Sequence, residues 1–295
     1  INYISFFKEN RTVEEARSIY DQRIHDSRLV HDKFSKNFYN RPCPVCGHEE
    51  FDALNKFDNR YDISQCKRCI ANYVNPTPNI EALDFYYNQC ECNTSFKRLL
   101  KGRAGKRGII LSERSDLVLN HIKTLLNKRN GIIKVLDIGC SSGAFLNELF
   151  VLLQEHNLSS QVELFGIDID KEAVSNPVNK KLNLMHSSVE DYVKINNGLF
   201  DLILHFELLE HLHDPFSFIC SVKNLIADEG LMYFQTPNAL GLDNSAINYN
   251  EFRPLAHGIF PPMHLQAFTT QNISHFLMRA NFEVKEITTP GNFDI

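Results

Sequence analysis

The chain has 295 residues, 43% of them hydrophobic and 11% aromatic, which is enough to bury the cores of one large and one small domain. Its 31 lysines and arginines against 36 aspartates and glutamates give a net charge of −5, so a nucleic acid or an anionic membrane is disfavoured as partner. No apolar run reaches the length of about 20 residues that a membrane span needs, and the N-terminus lacks a secretory signal, so no transmembrane segment is expected. The paired spacing of four cysteines favours the cytoplasm.

An amphipathic helix within residues 1–41 is the first predicted element. Thr12-Val-Glu-Glu15 resembles a capping box, and apolar residues then recur at helical spacing to about Tyr39. Arg41-Pro42 ends the helix, because proline lacks an amide hydrogen and restricts the residue before it. Packing on the body of the protein is the preferred interpretation, and an arm for another subunit or an upstream domain is the alternative.

Residues 42–78 form the second predicted segment, which has cysteines in paired C-x2-C spacing. The four are Cys43, Cys46, Cys66 and Cys69. Two such turns can deliver four sulfurs to a tetrahedral zinc ion, and in a long chain they favour a metal site in a reducing compartment over disulfides. We predict structural Zn²⁺ with no coordination position open for catalysis. The alternatives are a redox pair or a site that borrows Cys90 or Cys92.

Residues 79–130 are predicted to be a helical connector. An apolar stripe that includes Leu117, Val118 and Ile122 indicates a packing helix. A basic cluster between Lys97 and Arg107 is interpreted as a solvated face in preference to an anion-binding strip.

Residues 131–295 alternate between apolar runs of strand length and helical segments. The predicted strands are Ile132–Ile138, Val162–Ile167, Phe200–Phe206 and Leu231–Thr236, with a weaker one near Leu182–Met185. Continuous apolarity marks strands that are covered on both faces, as in a parallel sheet. The prediction is therefore an α/β domain with a Rossmann-like, doubly wound sheet, beside a small N-terminal module with four cysteines.

Residues 238–268 interrupt this alternation with scattered prolines, glycines and aromatic residues. A long segment without periodicity is usually functional, so a lid or substrate loop is expected here. Thr269 or Thr270 then begins a helix to about Asn281, and Phe282–Thr288 is predicted to be a further strand.

The segment Val135-Leu-Asp-Ile-Gly-Cys-Ser-Ser-Gly143 leads from a strand through a glycine turn into a helix. Such a turn lets the backbone approach a ligand at the N-terminus of the helix. Asp168, at the end of the next strand, supplies a carboxylate that can accept hydrogen bonds from both hydroxyls of a ribose. Together they imply an adenosine-type ligand, and the absence of the G-x-G-x-x-G spacing disfavours NAD.

With Phe200-Asp-Leu-Ile-Leu-His-Phe-Glu-Leu-Leu-Glu-His211, these motifs resemble class I S-adenosylmethionine (SAM)-dependent methyltransferases over about residues 130–290. The resemblance implies that the first loop lies beside the methionine part of SAM, that the acidic residue holds the ribose, and that residues after the third strand flank adenine. The residues that match are Asp137, Gly139 and Gly143, then Asp168, then Ser188, Val189 and Glu190. Ser187-Ser188 stands where many relatives have Gly-Asp, which puts the adenine contact in doubt.

Methyl transfer is an in-line displacement, so the protein must align the acceptor, exclude water and remove the acceptor proton. His211, after the fourth strand, is the first candidate base, and His257 and His264 in the predicted lid are the next. For each histidine a purely structural role is the alternative. Glu207 is expected to orient a histidine or the amino group of the cofactor.

The cysteine module, the E-x-x-E-H motif and the segment Pro261-Pro-Met-His264 together look like bacterial methyltransferases of sugars or glycans in surface-polysaccharide and sugar-nucleotide pathways. The implied reaction is O-methylation of a sugar or glycan hydroxyl, with C-methylation of a keto-sugar as the close variant. A ribosomal-RNA methyltransferase and a non-catalytic scaffold that binds the cofactor are the alternatives. The resemblance also implies one more strand, so the native chain is expected to continue beyond Ile295.

Overall fold

The computed structural model describes residues 13–91, 108–129, 131–196, 198–241 and 258–289. The α-helices in these ranges are α1 (Val13–Phe34), α2 (Ile80–Gln89), α3 (Gly108–Lys128), α4 (Ala144–Glu155), α5 (Lys171–Ser175), α6 (Val189–Ile195), α7 (Pro215–Leu225) and α8 (Thr270–Arg279), with 3-10 turns at Ser35–Asn37 and Leu209–His211. The strands are β1 (Phe51–Phe57), β2 (Tyr61–Cys66), β3 (Asn72–Val74), β4 (Ile133–Ile138), β5 (Val162–Asp168), β6 (Asn183–His186), β7 (Phe200–Phe206), β8 (Ile226–Gln235) and β9 (Gln266–Ala267).

The chain folds into two compact units, and neither is continuous in sequence. The first contains Ile1–Lys106, Leu209–Phe216 and Thr236–Ile295, and the second contains Arg107–Leu208 and Ser217–Gln235. This division differs from the linear one predicted from the sequence, because the chain returns to the first unit after β8 and adds β9 to its sheet. Whether the chain divides into independently folding domains after residues 41, 78 and 130 stays a prediction.

The second unit is built on a parallel sheet with the strand order β6-β5-β4-β7-β8. The chain proceeds from β4 to one side of the sheet and then to the other, so the order reverses beside β4. Ligands of open α/β sheets bind at the carboxyl ends of the strands at such a point. The predicted mixed α/β fold with a parallel sheet is confirmed.

The core of this unit explains why its elements form. In α3, Val118 and Ile122 of the predicted stripe are fully buried, whereas Leu117, which the stripe also included, is 47% exposed. The buried residues pack with α4 and with the apolar faces of β4 and β7 into one cluster. Burying each large aliphatic side chain in this way contributes about 1.5–3 kcal/mol.

Two strand predictions differ from the structure. β8 begins at Ile226, five residues before the predicted start. The prediction missed its first half because polar residues around Asp228 interrupt the apolar run. Phe282–Thr288 has no strand pairing among the described residues, and its residues are exposed or half-buried. Alternating apolar residues had suggested a strand there.

His205, in β7, is a polar residue inside the core of the second unit. Its ring stacks on Phe234 with 4.6 Å between centroids and meets the edge of Phe218 at 5.3 Å. Neither ring nitrogen has a hydrogen-bond partner in the described part of the chain. Burial lowers the pKa of His205 to about 3, so the ring is neutral in the folded protein at neutral pH.

We expect His205→Phe to stabilise the protein, and more at pH 5 than at pH 7.5. Because the pKa of the folded state lies below the value of about 6.5 in the unfolded chain, the unfolded chain binds more protons and stability falls as the pH decreases below 6.5. Phenylalanine removes this proton uptake and the two unpaired nitrogens. Thermal unfolding at both pH values measures the effect, with His275→Phe on the exposed side of α8 as control. A lower melting temperature at both pH values would contradict the prediction.

The first unit contains an antiparallel sheet with the order β1-β2-β3-β9, in which Tyr73 of β3 pairs with Gln266 of β9. Val30 and Phe34 of α1 are buried against Ala82 and Tyr86 of α2. α1 therefore packs on the body of this unit, as the preferred interpretation had it.

Two helix ends can be compared with the sequence predictions. α1 ends at Phe34, before a 3-10 turn, and the predicted capping residue Thr12 lies outside the described residues. Thr269 begins α8 with a capping box shared with Asn272, as predicted. The described ranges contain no helix with the length and apolarity to cross a bilayer.

Candidate functional site

The four predicted metal ligands lie together in the first unit. The sulfurs of Cys43 and Cys69 are 3.6 Å apart, those of Cys46 and Cys66 are 3.5 Å apart, and all four lie within 4.8 Å of one another. A tetrahedral zinc ion with Zn–S bonds of about 2.3 Å separates its sulfurs by about 3.8 Å. The four thiols therefore fit a Zn²⁺ ion. Cys90 packs in the apolar core instead, and Cys92 lies outside the described residues.

Each cysteine pair sits on a tight turn of the same kind, and we call residues 43–47 and 66–70 the cysteine knuckles. The amide of Gly47 donates to the carbonyl of Cys43 at 2.8 Å, and that of Ile70 to the carbonyl of Cys66 at 3.0 Å. Both Gly47 and Ile70 have a positive φ, of 74° and 59°. A β-branched residue resists this conformation, so the second knuckle is held in it by its surroundings.

The thiols of the knuckles need a cation to ionise together. The hydrogen bond with Cys69, and then burial, raise the pKa of Cys43 far above its ordinary value. A bound divalent ion reverses this preference, because a thiolate that coordinates a metal loses its proton.

In the second unit, the predicted glycine turn lies at the carboxyl end of β4. Gly139, Ser141 and Gly143 all have a positive φ, of 82°, 52° and 79°. The positive φ of Gly143 favours glycine, and a Cβ atom there would lie 2.8 Å from Cδ1 of Leu182, so this leucine side chain would have to shift. Gly166 of β5 is similarly restricted, since its Cβ would lie 2.7 Å from the sulfur of Cys140.

Asp168 ends β5 beside this turn. One carboxylate oxygen accepts a hydrogen bond from the amide of Ser141 and the other from the amide of Asp170, each at 2.7 Å. Both bonds fix the carboxylate, and each oxygen keeps a further lone pair for a ligand hydroxyl. This geometry suits the predicted contact with a ribose.

Asp137, the last but one residue of β4, is only 3% exposed. Burial, and then the negative charge of Asp168, raise its pKa to about 8, while Arg114 opposes the shift. The carboxyl group is therefore mostly protonated at pH 7 in the ligand-free protein. A cation that binds nearby would favour release of that proton.

The three residues predicted to flank adenine follow β6. Ser188 caps α6 by accepting a hydrogen bond from the amide of Asp191 at 3.1 Å, Val189 is buried and Glu190 is half-buried. The cap explains why serine is suitable at this position. A contact of these residues with adenine stays a prediction.

Glu207 follows β7 and has a positive φ of 50°. Its carboxylate lies 3.2 Å from the guanidinium of Arg114, which also lies over the ring of Phe206. Arg114 could not be identified from the sequence, because a single arginine in a helix has no local pattern that marks it. The predicted role of Glu207 toward a histidine or a cofactor stays a prediction.

A cluster of polar side chains in the first unit brings together two of the three candidate bases. The carboxylate of Glu210 lies 3.8 Å from Nε2 of His211, and the rings of His211 and His264 meet edge to face with 4.5 Å between centroids. Glu210 is 1% and His264 6% exposed. We call Glu210, His211 and His264 the histidine cluster.

The surroundings of His211 assign its tautomer. Its Nδ1 lies 3.1 Å from the carbonyl oxygen of Met263, which can only accept, so Nδ1 carries the hydrogen. The hydroxyl of Tyr87 lies 3.1 Å from the same nitrogen and donates to the same carbonyl. Nε2 is therefore the basic nitrogen.

The ionisation of His211 follows from its position. Burial, and then the positive charge of Arg23, lower its pKa to about 4, against the hydrogen bond to Met263. The ring is neutral at pH 7. The contact of Tyr87 with His211 could not be predicted from the sequence, because nothing distinguishes this tyrosine from the other aromatic residues of the predicted connector.

The predicted lid is wrong for residues 258–268, which are part of the core. Phe260, Met263, Leu265 and Phe268 are buried, and β9 belongs to the sheet, so these residues are core of the first unit. The prolines and glycines had suggested a loop, but its aromatic and aliphatic side chains supply the packing. His257 lies outside the described residues.

The order of the parallel sheet reverses beside a glycine turn, and a fixed carboxylate stands at the end of the next strand. This is the arrangement in which open α/β sheets bind nucleoside cofactors. A family model described as "Methyltransferase domain" matches residues 93–287. The chain belongs to this family of methyltransferases, which confirms the prediction at the level of the domain.

Comparison with curated proteins shows similarity to the ubiquinone biosynthesis O-methyltransferase of Vibrio campbellii, which is 31% identical over 136 residues, 43% of this chain and 53% of the relative. The enzyme of the same name from Vibrio cholerae serotype O1 is 30% identical over 136 residues, 43% of this chain and 51% of the relative. The chain thus spans about half the length of these curated relatives.

Among solved structures, the plantazolicin methyltransferase in complex with a monoazolic desmethylPZN analog and SAH has a TM-score of 0.49 and 15% identity, over 67% of this chain and 72% of that one. A SAM dependent methyltransferase from Archaeoglobus fulgidus has a TM-score of 0.40 and 22% identity, over 57% of this chain and 69% of that one.

Proposed function

We propose that this protein transfers the methyl group of SAM to a hydroxyl oxygen of a small-molecule acceptor. The observation that carries the proposal is the carboxylate of Asp168, fixed by two backbone amides beside a glycine turn at the switch point of the sheet. Membership of the methyltransferase family supports SAM as the ligand of this site.

The second unit would hold the cofactor with residues that all follow strand ends. Asp168 accepts from the ribose hydroxyls, and Gly139 and Gly143 leave room for the methionine part. The remaining proposed contacts are Asp137, Ser188, Val189, Glu190 and Glu207. SAM supplies a methyl group on a positively charged sulfur, and the protein contributes alignment and the exclusion of water.

We propose His211 as the general base that removes the acceptor proton. Its Nε2 has the lone pair, because the carbonyl of Met263 fixes the hydrogen on Nδ1. His264 lies against the ring and is the second candidate. His257 remains the third candidate.

We propose a sugar or glycan as the acceptor. The resemblance of the cysteine module and the 261–264 segment to bacterial sugar methyltransferases supports this class, and the O-methyltransferases among the relatives support oxygen as the methylated atom. A compound of ubiquinone biosynthesis is a second candidate, since the relatives carry that name. C-methylation of a keto-sugar is the variant in which His211 would remove a carbon-bound proton.

The test is a screen for conversion of SAM to SAH in the presence of sugar nucleotides, glycan fragments, ubiquinone-pathway compounds and ribosomal RNA. We expect turnover with one carbohydrate class and a product heavier by one methyl group. Turnover with the ubiquinone-pathway compounds or RNA alone would replace the proposed acceptor. Calorimetry that detects neither SAM nor SAH binding to folded protein would refute the function itself.

We also propose that the cysteine knuckles bind one structural Zn²⁺ ion, and that the thiolates favour a reducing compartment such as the cytoplasm. We expect about one zinc per chain by mass spectrometry of the native protein. Cys69→Ser should lose most of the metal and melt roughly 10 °C lower, because a structural zinc contributes to folding. Cys220→Ser, a half-buried cysteine of the second unit, is the control and should keep both. Full metal retention in Cys69→Ser would contradict the proposed ligand set.

A further inference from the structure

The 3-10 turn Leu209–His211 and the two residues after it, which we call the histidine turn, are held by hydrogen bonds from other parts of the first unit. The carbonyl of Glu210 accepts from the amide of Leu265 at 2.8 Å. The carbonyls of Leu209, Leu212 and His213 accept from the side chains of Arg41 and Gln266. Because the turn is short, its own backbone satisfies few of these groups.

Both the amide nitrogen and the amide oxygen of the Gln266 side chain form hydrogen bonds at the histidine turn. Its Nε2 donates to the carbonyls of Leu209 at 2.6 Å and Leu212 at 2.9 Å, and its Oε1 accepts from Nη2 of Arg41 at 3.1 Å. The residue is 0% exposed. Three hydrogen bonds in a buried place fix the amide, and losing one would leave a buried carbonyl without its partner.

Arg41 links the turn to the first cysteine knuckle. Its Nη1 donates to the carbonyl of His213 at 2.7 Å, and its backbone amide donates to the side chain of Asn75 at 3.0 Å. Arg41 precedes Cys43 by two residues. A displacement of the first knuckle would therefore move the guanidinium that holds the end of the turn.

Gln266 links the turn to the second knuckle. It pairs with Tyr73 of β3, and β3 begins two residues after Ile70, where the second knuckle ends. Arg279 adds a further connection, since its guanidinium donates to the carbonyl of Val45 inside the first knuckle. Arg41 and Gln266, which hold the histidine turn, are thus both connected to segments that contain the cysteines.

We propose that Arg41 and Gln266 are positioning residues that hold the histidine turn, and with it the ring of His211, in the arrangement set by the metal-loaded cysteine knuckles. The inference rests on the proposed function in so far as His211 acts on the acceptor. It gives the metal a task beyond stabilising its own module, because the knuckles order a turn more than 130 residues away in sequence.

The test uses the metal-loaded full chain with Arg41→Met and Gln266→Glu, which is isosteric but lacks the two donors. Nitrogen-15 NMR of the His211 ring reports its tautomer and titration without any need for turnover. We expect its resonances to shift in both variants, kcat to fall about tenfold to a hundredfold, and SAM affinity to stay within about twofold. Arg41→Lys, which keeps one donor, should recover part of the kcat.

Matched controls separate positioning from general loss of structure. Arg28→Met removes an exposed arginine of the same unit, and Gln271→Glu changes an exposed glutamine of α8, and both should leave the ring signals unchanged. Unchanged His211 signals in folded Arg41→Met and Gln266→Glu would overturn the proposal. If wild-type protein transfers no methyl group but the ring responds to both variants, the proposed function fails and the positioning role stands.

The part of the metal is tested by withdrawing it with a chelator while circular dichroism follows the fold. The His211 signals should shift in the same direction as in Arg41→Met. If the His211 signals did not change when the metal is removed, the proposed dependence of the ring on the cysteine knuckles would be wrong. If the whole chain unfolds, Cys69→His, which keeps a metal in an altered geometry, takes the place of the chelated protein with the same two outcomes.

Discussion

Replacing His211 with alanine is expected to lower kcat about 10²- to 10⁴-fold, the usual contribution of a general base, while SAM affinity stays within about twofold. His211 is not among the proposed cofactor contacts, so the affinity for SAM is not expected to depend on its side chain. Steady-state kinetics and calorimetry on the same preparation measure both quantities.

The pH dependence of the wild-type enzyme gives an independent check. A base must be unprotonated to act, and the pKa of His211 is lowered to about 4. The acidic limb of kcat should therefore lie near pH 4, well below the value of about 6.5 for an exposed histidine. In Arg41→Met the limb should move toward higher pH, because a less buried ring is a stronger base.

His264→Ala and His275→Ala complete the comparison. His264 packs against the ring of His211, so we expect a smaller fall in kcat, about tenfold, and a shifted acidic limb. His275 is exposed on α8 and its substitution should change neither. Full activity of both His211→Ala and His264→Ala would show that neither histidine is the base.

Asp168→Asn is expected to weaken SAM and SAH binding about a hundredfold, because a hydrogen bond to a charged acceptor contributes about 1.5–3 kcal/mol and the ribose offers two hydroxyls. The amide keeps one oxygen and presents an NH2 group where the carboxylate accepts from Ser141 or Asp170. Some loosening of the glycine turn is therefore part of the expected effect.

Calorimetric titration with SAH measures the affinity, and thermal unfolding shows whether the variant is folded. Asp116→Asn, which changes an exposed carboxylate of α3 in the same unit, is the matched control. Unchanged SAH affinity in folded Asp168→Asn would show that the cofactor does not rely on this carboxylate.

The parallel sheet and the metal ligands could be predicted because their signals are local. Each buried strand is one continuous apolar run, so Phe200–Phe206 has the same bounds in the prediction and the structure. The two C-x2-C turns similarly specify which four sulfurs can meet a single ion. Asp168 was found from its position after a strand that follows a glycine turn.

The contacts that hold the histidine turn could not be predicted in this way. Arg41, Tyr87 and Gln266 are single polar residues, and each gains its role from a partner far away in sequence. The short strand β9 has two residues, too few for any periodicity. Its pairing with β3 depends on a return of the chain that no local pattern encodes.

That return also limits how this protein can be divided or recombined. A fragment that starts after Pro78 would keep β9 but lose β3, its neighbour in the sheet, and would lose Arg41 as well. Separating the cysteine module from residues 258–289 would therefore break the pairing of β3 with β9. Hybrid enzymes that exchange the second unit of this chain should therefore be joined at the edges of that unit, so that β3 and β9 stay together.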